Sequence, residues 1–250
     1  MLSKSQISFI KSLHQKKFRK EHNLFIAEGI KSITEFILSD YRIENIFCTA
    51  HTIPKLDKLL QKIKVQEITD TELKKISALI APQDALATIH IPQETEIAAE
   101  SVQNLITLVL DDIQDPGNLG TIIRTADWFG FKQIICSAGT VDAYNPKVVQ
   151  ATMGSLARIR LHYVYLPDFL KSNNYPVFGA LLEGNSVYDI DFSDKEGILI
   201  LGNEGRGISP ELKEYITDPI TIPQFGKAES LNVAVSAGIL CSEIKRNSAK

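Results

Sequence analysis

LITLVLDDIQDPGNLGTIIRTADWFG (residues 105–130) reads as a strand, a turn and a helix in one piece. LITLVLDD is rich in β-branched and aliphatic side chains, as a buried strand requires. DPGN supplies turn chemistry, and NLGTIIRTADWFG is an amphipathic helix closed by Gly130. The alternation continues downstream. FKQIICS is a second strand, NPKVVQATMG is helical after Pro146, and RIRLHYVYL returns to strand. YPVFGALLEG, GILILGNEG and TDPITIPQF are further strands, and SLNVAVSAGILCSEIKR forms a long last helix. Strands alternating with helices predict a parallel sheet with helices on both faces. Upstream, Ile7, Ile10 and Leu13 recur at helical spacing. NLFIAEG and RIENIFCT read as strands around the helix IKSITEFILSD; KVQEIT follows, then a helix opened by Asp70 or Thr71 as N-cap, and DALATIHI closes the series. IPQETEIAAESVQN is polar and carries Pro92. The expected division is a small α/β domain over 1–91, a linker over 92–104 and a second α/β domain over 105–250.

Composition excludes several classes. Hydrophobic residues make up 44% and charged residues 23%, near the averages for a soluble globular protein. Cys48, Cys136 and Cys241 are scattered without metal-ligand spacing, and an odd, sparse set fits a reducing compartment. No apolar run approaches the roughly 20 residues of a membrane span. MLSKSQISFIKSLHQKK carries charge where a signal peptide would be apolar. The expectation is a cytoplasmic protein with no membrane partner. The five histidines lack ligand spacing, and neither H-E-x-x-H nor G-x-S-x-G occurs, so no metal is expected. The net charge of −3 gives no global attraction for nucleic acid. Locally, however, Lys4, Lys11, Lys16, Lys17, Arg19 and Lys20 all precede the first acid, Glu21. Such a run either neutralises phosphates or is a solvated helix face.

In open parallel sheets, ligands bind beyond the carboxyl ends of the strands. Three strand ends here carry unusual loops. In the first, the strand ends at Asp111–Asp112, Asn118 is a candidate helix cap, and Arg124, six residues on, is expected to share a face with Asn118. In the second, Gly202, Gly205 and Gly207 flank Glu204 and Arg206. This G-x-x-G-x-G spacing is not the dinucleotide fingerprint, though glycines let a ligand approach the backbone. In the third, Ser230 and Asn232 stand at the start of the last helix, whose Ala234, Ser236, Ala237 and Gly238 permit close packing. Each loop by itself is also compatible with a plain capped helix or turn. Spacing and composition give an α/β protein with a loop-built site, and no reaction.

Taken together, NLGTIIRTADWFG (118–130), LGNEGRGIS (201–209) and SLNVAVSAGI (230–239) resemble the signature motifs of the SpoU (TrmH-like) RNA ribose methyltransferases, part of the SPOUT superfamily. NPKVVQATMGS (145–155) is similar to the sequence between that family's first two motifs. FRKEHNLFIAEGIKSITEFI resembles its ribosomal-protein-like substrate-binding domain, so the resemblance spans nearly the whole chain. The resemblance implies a parallel-sheet C-terminal domain with a deep trefoil knot, which general topology rules would reject. It implies S-adenosyl-L-methionine as cofactor, held around Leu181, Leu182, Leu201, Gly202, Gly207, Ile222 and Leu231. It also implies a homodimer and an RNA substrate, ribosomal or transfer, with the accessory domain favouring ribosomal RNA.

By the same resemblance Arg124, Asn118, Glu204, Asn232 and Ser230 match the family's catalytic positions. The implied reaction is an in-line displacement in which a ribose 2′-oxygen attacks the sulfonium methyl. Because a guanidinium stays protonated, Arg124 is expected to clamp a phosphate and orient the ribose rather than accept a proton. Asn118 and Asn232 would position the arginine or the ribose, Glu204 would order its loop, and Ser230 would bond a phosphate. Lys16, Lys17, Arg19 and Lys20 would contact RNA. The chain departs from the common pattern at Ala234, where many members carry serine. Competing readings are a non-catalytic RNA-binding module, a base methyltransferase acting on guanine N1, and a nucleotide-binding oxidoreductase; the last is disfavoured by the missing fingerprint.

Overall fold

The computed structural model describes residues 1–56, 63–82, 84–93, 97, 106–193 and 196–248. In chain order the first elements are α1 (Lys4–Ser12), α2 (Lys16–His22), β1 (Leu24–Glu28), α3 (Ile30–Ile37), β2 (Ile43–Cys48), α4 (Ile53–Leu56), β3 (Val65–Glu67), α5 (Asp70–Ile76) and β4 (Ala85–His90). Next come β5 (Ile106–Leu110), α6 (Pro116–Trp128), β6 (Gln133–Ser137), α7 (Pro146–Thr152), β7 (Arg160–Val164) and α8 (Leu166–Lys171). The last are β8 (Val177–Ser186), β9 (Gly197–Leu201), α9 (Pro210–Lys213), β10 (Asp218–Thr221) and α10 (Val233–Ser248). Most of the expected linker over 92–104 lies outside the described residues. Two compact units emerge: residues 1–93 with 142–158, and residues 94–141 with 159–250.

In the first unit β4 runs antiparallel to both β1 and β2, and β3 adds parallel to β2, giving the order β1-β4-β2-β3. Ile10, Leu13, Ile26, Phe47, Leu73 and Leu86 belong to one buried cluster. The cap of α5 lies one residue before the expected Asp70. The Thr69 hydroxyl accepts the Glu72 N–H at 3.2 Å, and the Glu72 carboxylate accepts the N–H of Thr69 at 2.9 Å and of Leu2 at 2.5 Å. This reciprocal box satisfies donors that the first helical turn would otherwise orphan. These backbone donors hold the Glu72 carboxyl below its ordinary range.

Residues 142–158 pack with this first unit, although their sequence reads as part of the C-terminal α/β series. Arg19 explains much of this. Its side chain is 2% exposed, its Nη2 meets Asp142 at 2.6 Å, and its Nη1 donates to the carbonyls of Leu13 and His14, each at 3.0 Å. The Tyr144 ring lies 4.8 Å from that of Phe25, and Arg158 pairs with Glu35. Arg19 is therefore a buried anchor and not an RNA contact: its donors are consumed inside the protein. Lys16, Lys17 and Lys20 on the same helix are exposed.

The second unit is built on a six-stranded sheet of order β10-β8-β9-β5-β6-β7, parallel throughout. β5 and β9 are buried at every residue and pair from Ile106↔Gly197 to Leu110↔Leu201. From β5 the chain moves outward through β6 and β7, then resumes on the other side with β8, β9 and β10. The boundary between β5 and β9 is thus a switch point, where loops diverge and leave room for ligands. Asp115, not Asn118, caps α6: its Oδ1 accepts the Asn118 N–H at 2.8 Å, which leaves the Asn118 side chain free for other partners. Gly130 follows the helix at φ +76°, a conformation that costs glycine little. Among the described residues no helix is long and apolar enough to cross a membrane.

Two outcomes follow from this packing. Arg19→Met leaves the Asp142 carboxylate without its partner, so the first unit should lose about 3 kcal/mol in urea unfolding, whereas Lys20→Met should be nearly neutral. The three cysteines are free and buried, and burial pushes the Cys241 thiol up to about 12 and the Cys136 thiol higher still. Their stabilising contribution is present while the unfolded thiols stay protonated. It falls as pH rises past about 8.5, where only the unfolded chain gains thiolates. A maleimide probe at neutral pH should label none of them until denaturant is added.

Candidate active site

The site grows from the carboxyl end of β5. Asp111 extends the ladder, its N–H donating to the Leu201 carbonyl at 2.9 Å, and its carboxylate accepts the Ser209 N–H at 2.8 Å. Asp112 turns left-handed at φ +59°, a region Asp tolerates better than most residues. Its N–H donates to Ser137 Oγ at 2.8 Å, its carbonyl accepts Asn203 Nδ2 at 2.8 Å, and its carboxylate pairs with Arg206. The loop after β9 is folded on itself. Asn203 and Gly207 exchange N–H to carbonyl bonds at 3.0 and 2.8 Å, while Asn203 Oδ1 accepts the N–H groups of Gly205 and Arg206.

This loop revises the reading of its glycines. A Cβ on Gly202 would run into the backbone of Gly207 and Ile208, and Gly207 sits at φ +66°. Gly202 is glycine because the loop crosses itself tightly, and Gly207 because its backbone is left-handed; both also line the cavity at these strand ends. Gly205 meets nothing nearer than Asn203 Oδ1 at 3.7 Å.

Three of the five expected catalytic side chains join in one hydrogen-bonded chain. Asn118 Nδ2 donates to Glu204 Oε1 at 2.6 Å across 86 residues of sequence, and Asn232 Nδ2 donates to Asn118 Oδ1 at 3.0 Å across 114. Asn232 Oδ1 in turn accepts the Ala234 N–H at 2.9 Å and opens α10. An amide that donates on one side and accepts on the other fixes the orientation of both asparagines. Arg124 stands apart. Six residues at about 100° each put it about 120° around α6 from Asn118, so the two do not share a face. Arg124 is exposed and forms no hydrogen bond or ion pair with the described residues.

Beside this chain lies a cavity of about 780 Å³ built from the ends of β8, β9 and β10 and the start of α10. Leu181, Leu182, Leu201, Gly202, Gly207, Ile222 and Leu231 all line it, as do Glu204 and Ser230. Asn118, Arg124 and Asn232 do not. Sequence reasoning missed Asn203, Arg206 and Asp112 as architects of the loop. The Asp111–Asp112 doublet at a buried strand end was the available signal, but its left-handed turn is invisible in one dimension. Among the described residues no three His, Cys, Asp or Glu side chains are grouped to hold a metal ion.

Residues 105–242 match the family model of the SpoU rRNA methylases, and residues 4–87 match that of an MRM3-like substrate-binding domain. The chain belongs to the SpoU rRNA methylase family. It is 34% identical, over 94% of each chain, to the 23S rRNA (guanosine(2553)-2′-O)-methyltransferase of Bacillus subtilis strain 168. Among solved structures it resembles a TrmH-family protein from Porphyromonas gingivalis, at TM-score 0.86 and 40% identity, covering 98% of this chain and 99% of the other. It also resembles an AdoMet-bound rRNA methyltransferase from Sinorhizobium meliloti, at TM-score 0.86 and 29% identity, with 98% and 97% covered.

The two crowded and uncrowded glycines give a direct check on this SpoU loop. Gly202→Ala should cost about 1–3 kcal/mol through forced displacement of the crossing backbone. Gly205→Ala should stay within about 0.5 kcal/mol. Urea unfolding of the two variants distinguishes them.

Proposed function

We propose that this SpoU-family chain transfers a methyl group from S-adenosyl-L-methionine to a ribose 2′-hydroxyl of RNA, with ribosomal RNA as the substrate. The observation that carries the reading is the Asn232–Asn118–Glu204 chain standing at the lip of a cavity formed by strand ends. The names of similar proteins, a 23S rRNA 2′-O-methyltransferase and an AdoMet-bound rRNA methyltransferase, support the same substrate and cofactor.

The cavity suits the cofactor. Its volume and its leucine and isoleucine side chains match an amphipathic nucleoside, and such sites are mostly apolar with a few convergent polar groups. Leu181, Leu182, Leu201, Gly202, Gly207, Ile222 and Leu231 would hold it. When bound, S-adenosyl-L-methionine supplies an electrophilic methyl on sulfur. The chain's own residues orient the acceptor. Glu204 accepts from Asn118, Asn118 accepts from Asn232, and the two amides are held ready to position a ribose. A guanidinium is a fork of fixed donors and not a base, so Arg124 clamps the phosphate next to the target ribose, and the proton leaves to that phosphate or to water. Ser230, exposed on the cavity wall and without a hydrogen bond to the described residues, offers its hydroxyl to a phosphate. Lys16, Lys17 and Lys20 supply phosphate contacts at a distance from the chemistry, an attraction that weakens with salt.

The working form is a cytoplasmic homodimer whose C-terminal domain is threaded as a deep trefoil knot. Trp128 on α6 is 84% exposed and Val235 on α10 is 51% exposed, apolar surface on two helices that pack together. An Arg124 left unpaired among the described residues would complete a site shared between copies.

Isothermal titration with S-adenosyl-L-homocysteine should give saturable binding, and total RNA should accept labelled methyl in a linkage that resists alkaline cleavage. Product cleaved by alkali would indicate base methylation instead. Arg124→Lys should lower kcat/KM roughly 100-fold while leaving homocysteine-nucleoside binding intact; near-normal turnover would exclude a bidentate clamp.

A further inference from the structure

We infer that Asp112 is a positioning residue for the methyl transfer, acting through the loop that carries Glu204. The inference rests on the methyltransferase reading above and adds a residue outside its set of catalytic positions.

Asp112 is held on every side. Its backbone is left-handed at φ +59°, and its N–H is fixed to Ser137 Oγ at 2.8 Å. Gly139 presses on its side chain so closely that a Cβ there would collide with the carboxylate. Gln114 Nε2 donates to Oδ1 at 3.1 Å, and Arg206 pairs with the other oxygen, Oδ2. The carboxylate is therefore a fixed point and not a swinging surface acid.

From that point Asp112 grips the loop twice. Its carbonyl takes Asn203 Nδ2, and its carboxylate takes the Arg206 guanidinium. Asn203 then spends its own oxygen on the N–H groups of Gly205 and Arg206. Glu204 lies between the two gripped residues. It is exposed, and among the described residues its carboxylate has Asn118, at 2.6 Å, as its hydrogen-bond partner, so its position follows from the loop that carries it. An exposed ion pair by itself contributes little to stability, and Arg206 is 71% exposed. The value of this pair is geometric: it sets where Glu204 stands, and a misplacement on the order of 1 Å is costly to a reaction that depends on orientation.

Asp112→Asn is the informative variant. Asn tolerates the left-handed region and retains the carbonyl that holds Asn203, so only the charge pairing with Arg206 is lost. In the full-length protein, kcat for RNA methylation should fall roughly tenfold while KM for RNA and the affinity for S-adenosyl-L-homocysteine stay within about twofold. In a Glu204→Ala background the same change should have no further effect on kcat, because a residue that acts through another is silent once the other is gone. Multiplicative losses in the double variant, or an unchanged kcat in the single one, would overturn the inference. A second readout needs no activity. Hydrogen–deuterium exchange across 203–207 should quicken in Asp112→Asn while β5 and β9 keep their protection, and unchanged exchange there would also overturn it. Absence of methyl transfer by the unmodified protein would instead count against the methyltransferase reading, leaving the exchange measurement to decide the role of Asp112.

Discussion

The parallel pairing of β5 with β9 is the constraint on which the rest of the structure depends. Parallel neighbours cannot be joined by a tight turn, so the chain must travel far between them and return in the same direction. Here it makes two excursions, through β6 and β7 and then through β8, before β9 closes against β5. Both strands therefore end on the same edge of the sheet. Asn118, just past one end, and Glu204, just past the other, meet at 2.6 Å. With β8 and β10 on the far side of β9, the same edge acquires the walls of the cavity.

What the sheet brings together, the loops hold by polar bonds with direction. Asn232 donates to Asn118 and Asn118 donates to Glu204, so the chain runs one way and ends on a carboxylate, where a hydrogen bond is strengthened by charge. Its other end is built into the first turn of α10 through the bond from Ala234. A network satisfied at each link is stiff, and stiffness is what an orienting site requires. Arg124 is the contrasting case: it is exposed and forms no hydrogen bond or ion pair with the described residues.

The first unit shows how a basic run divides its labour. Four cations crowd one short helix, yet Arg19 points inward onto Asp142 while Lys16, Lys17 and Lys20 face water. The guanidinium bonds a carboxylate and two carbonyls at once, which one ammonium does not match in a fixed planar fork. The same contact draws residues 142–158 into the first unit, so that unit is not a contiguous stretch of the chain.

Local chemistry was legible in the sequence. Buried strands such as LITLVL and GILIL, helices with apolar periodicity, and the three polar loops at strand ends are set by near neighbours along the chain, and the motif resemblance identified their family. Cap positions slipped by one to three residues, at Thr69 and Asp115, because several adjacent residues are competent caps and only the folded turn selects one. The tertiary structure alone decided which side chains meet. It sent Arg19 inside onto Asp142 and set Asn118 between Glu204 and Asn232. It also made Asp112 the fixed point beneath Glu204. Those outcomes depend on contacts between residues about a hundred positions apart, and such meetings are set by strand order, register and packing, which no local pattern encodes.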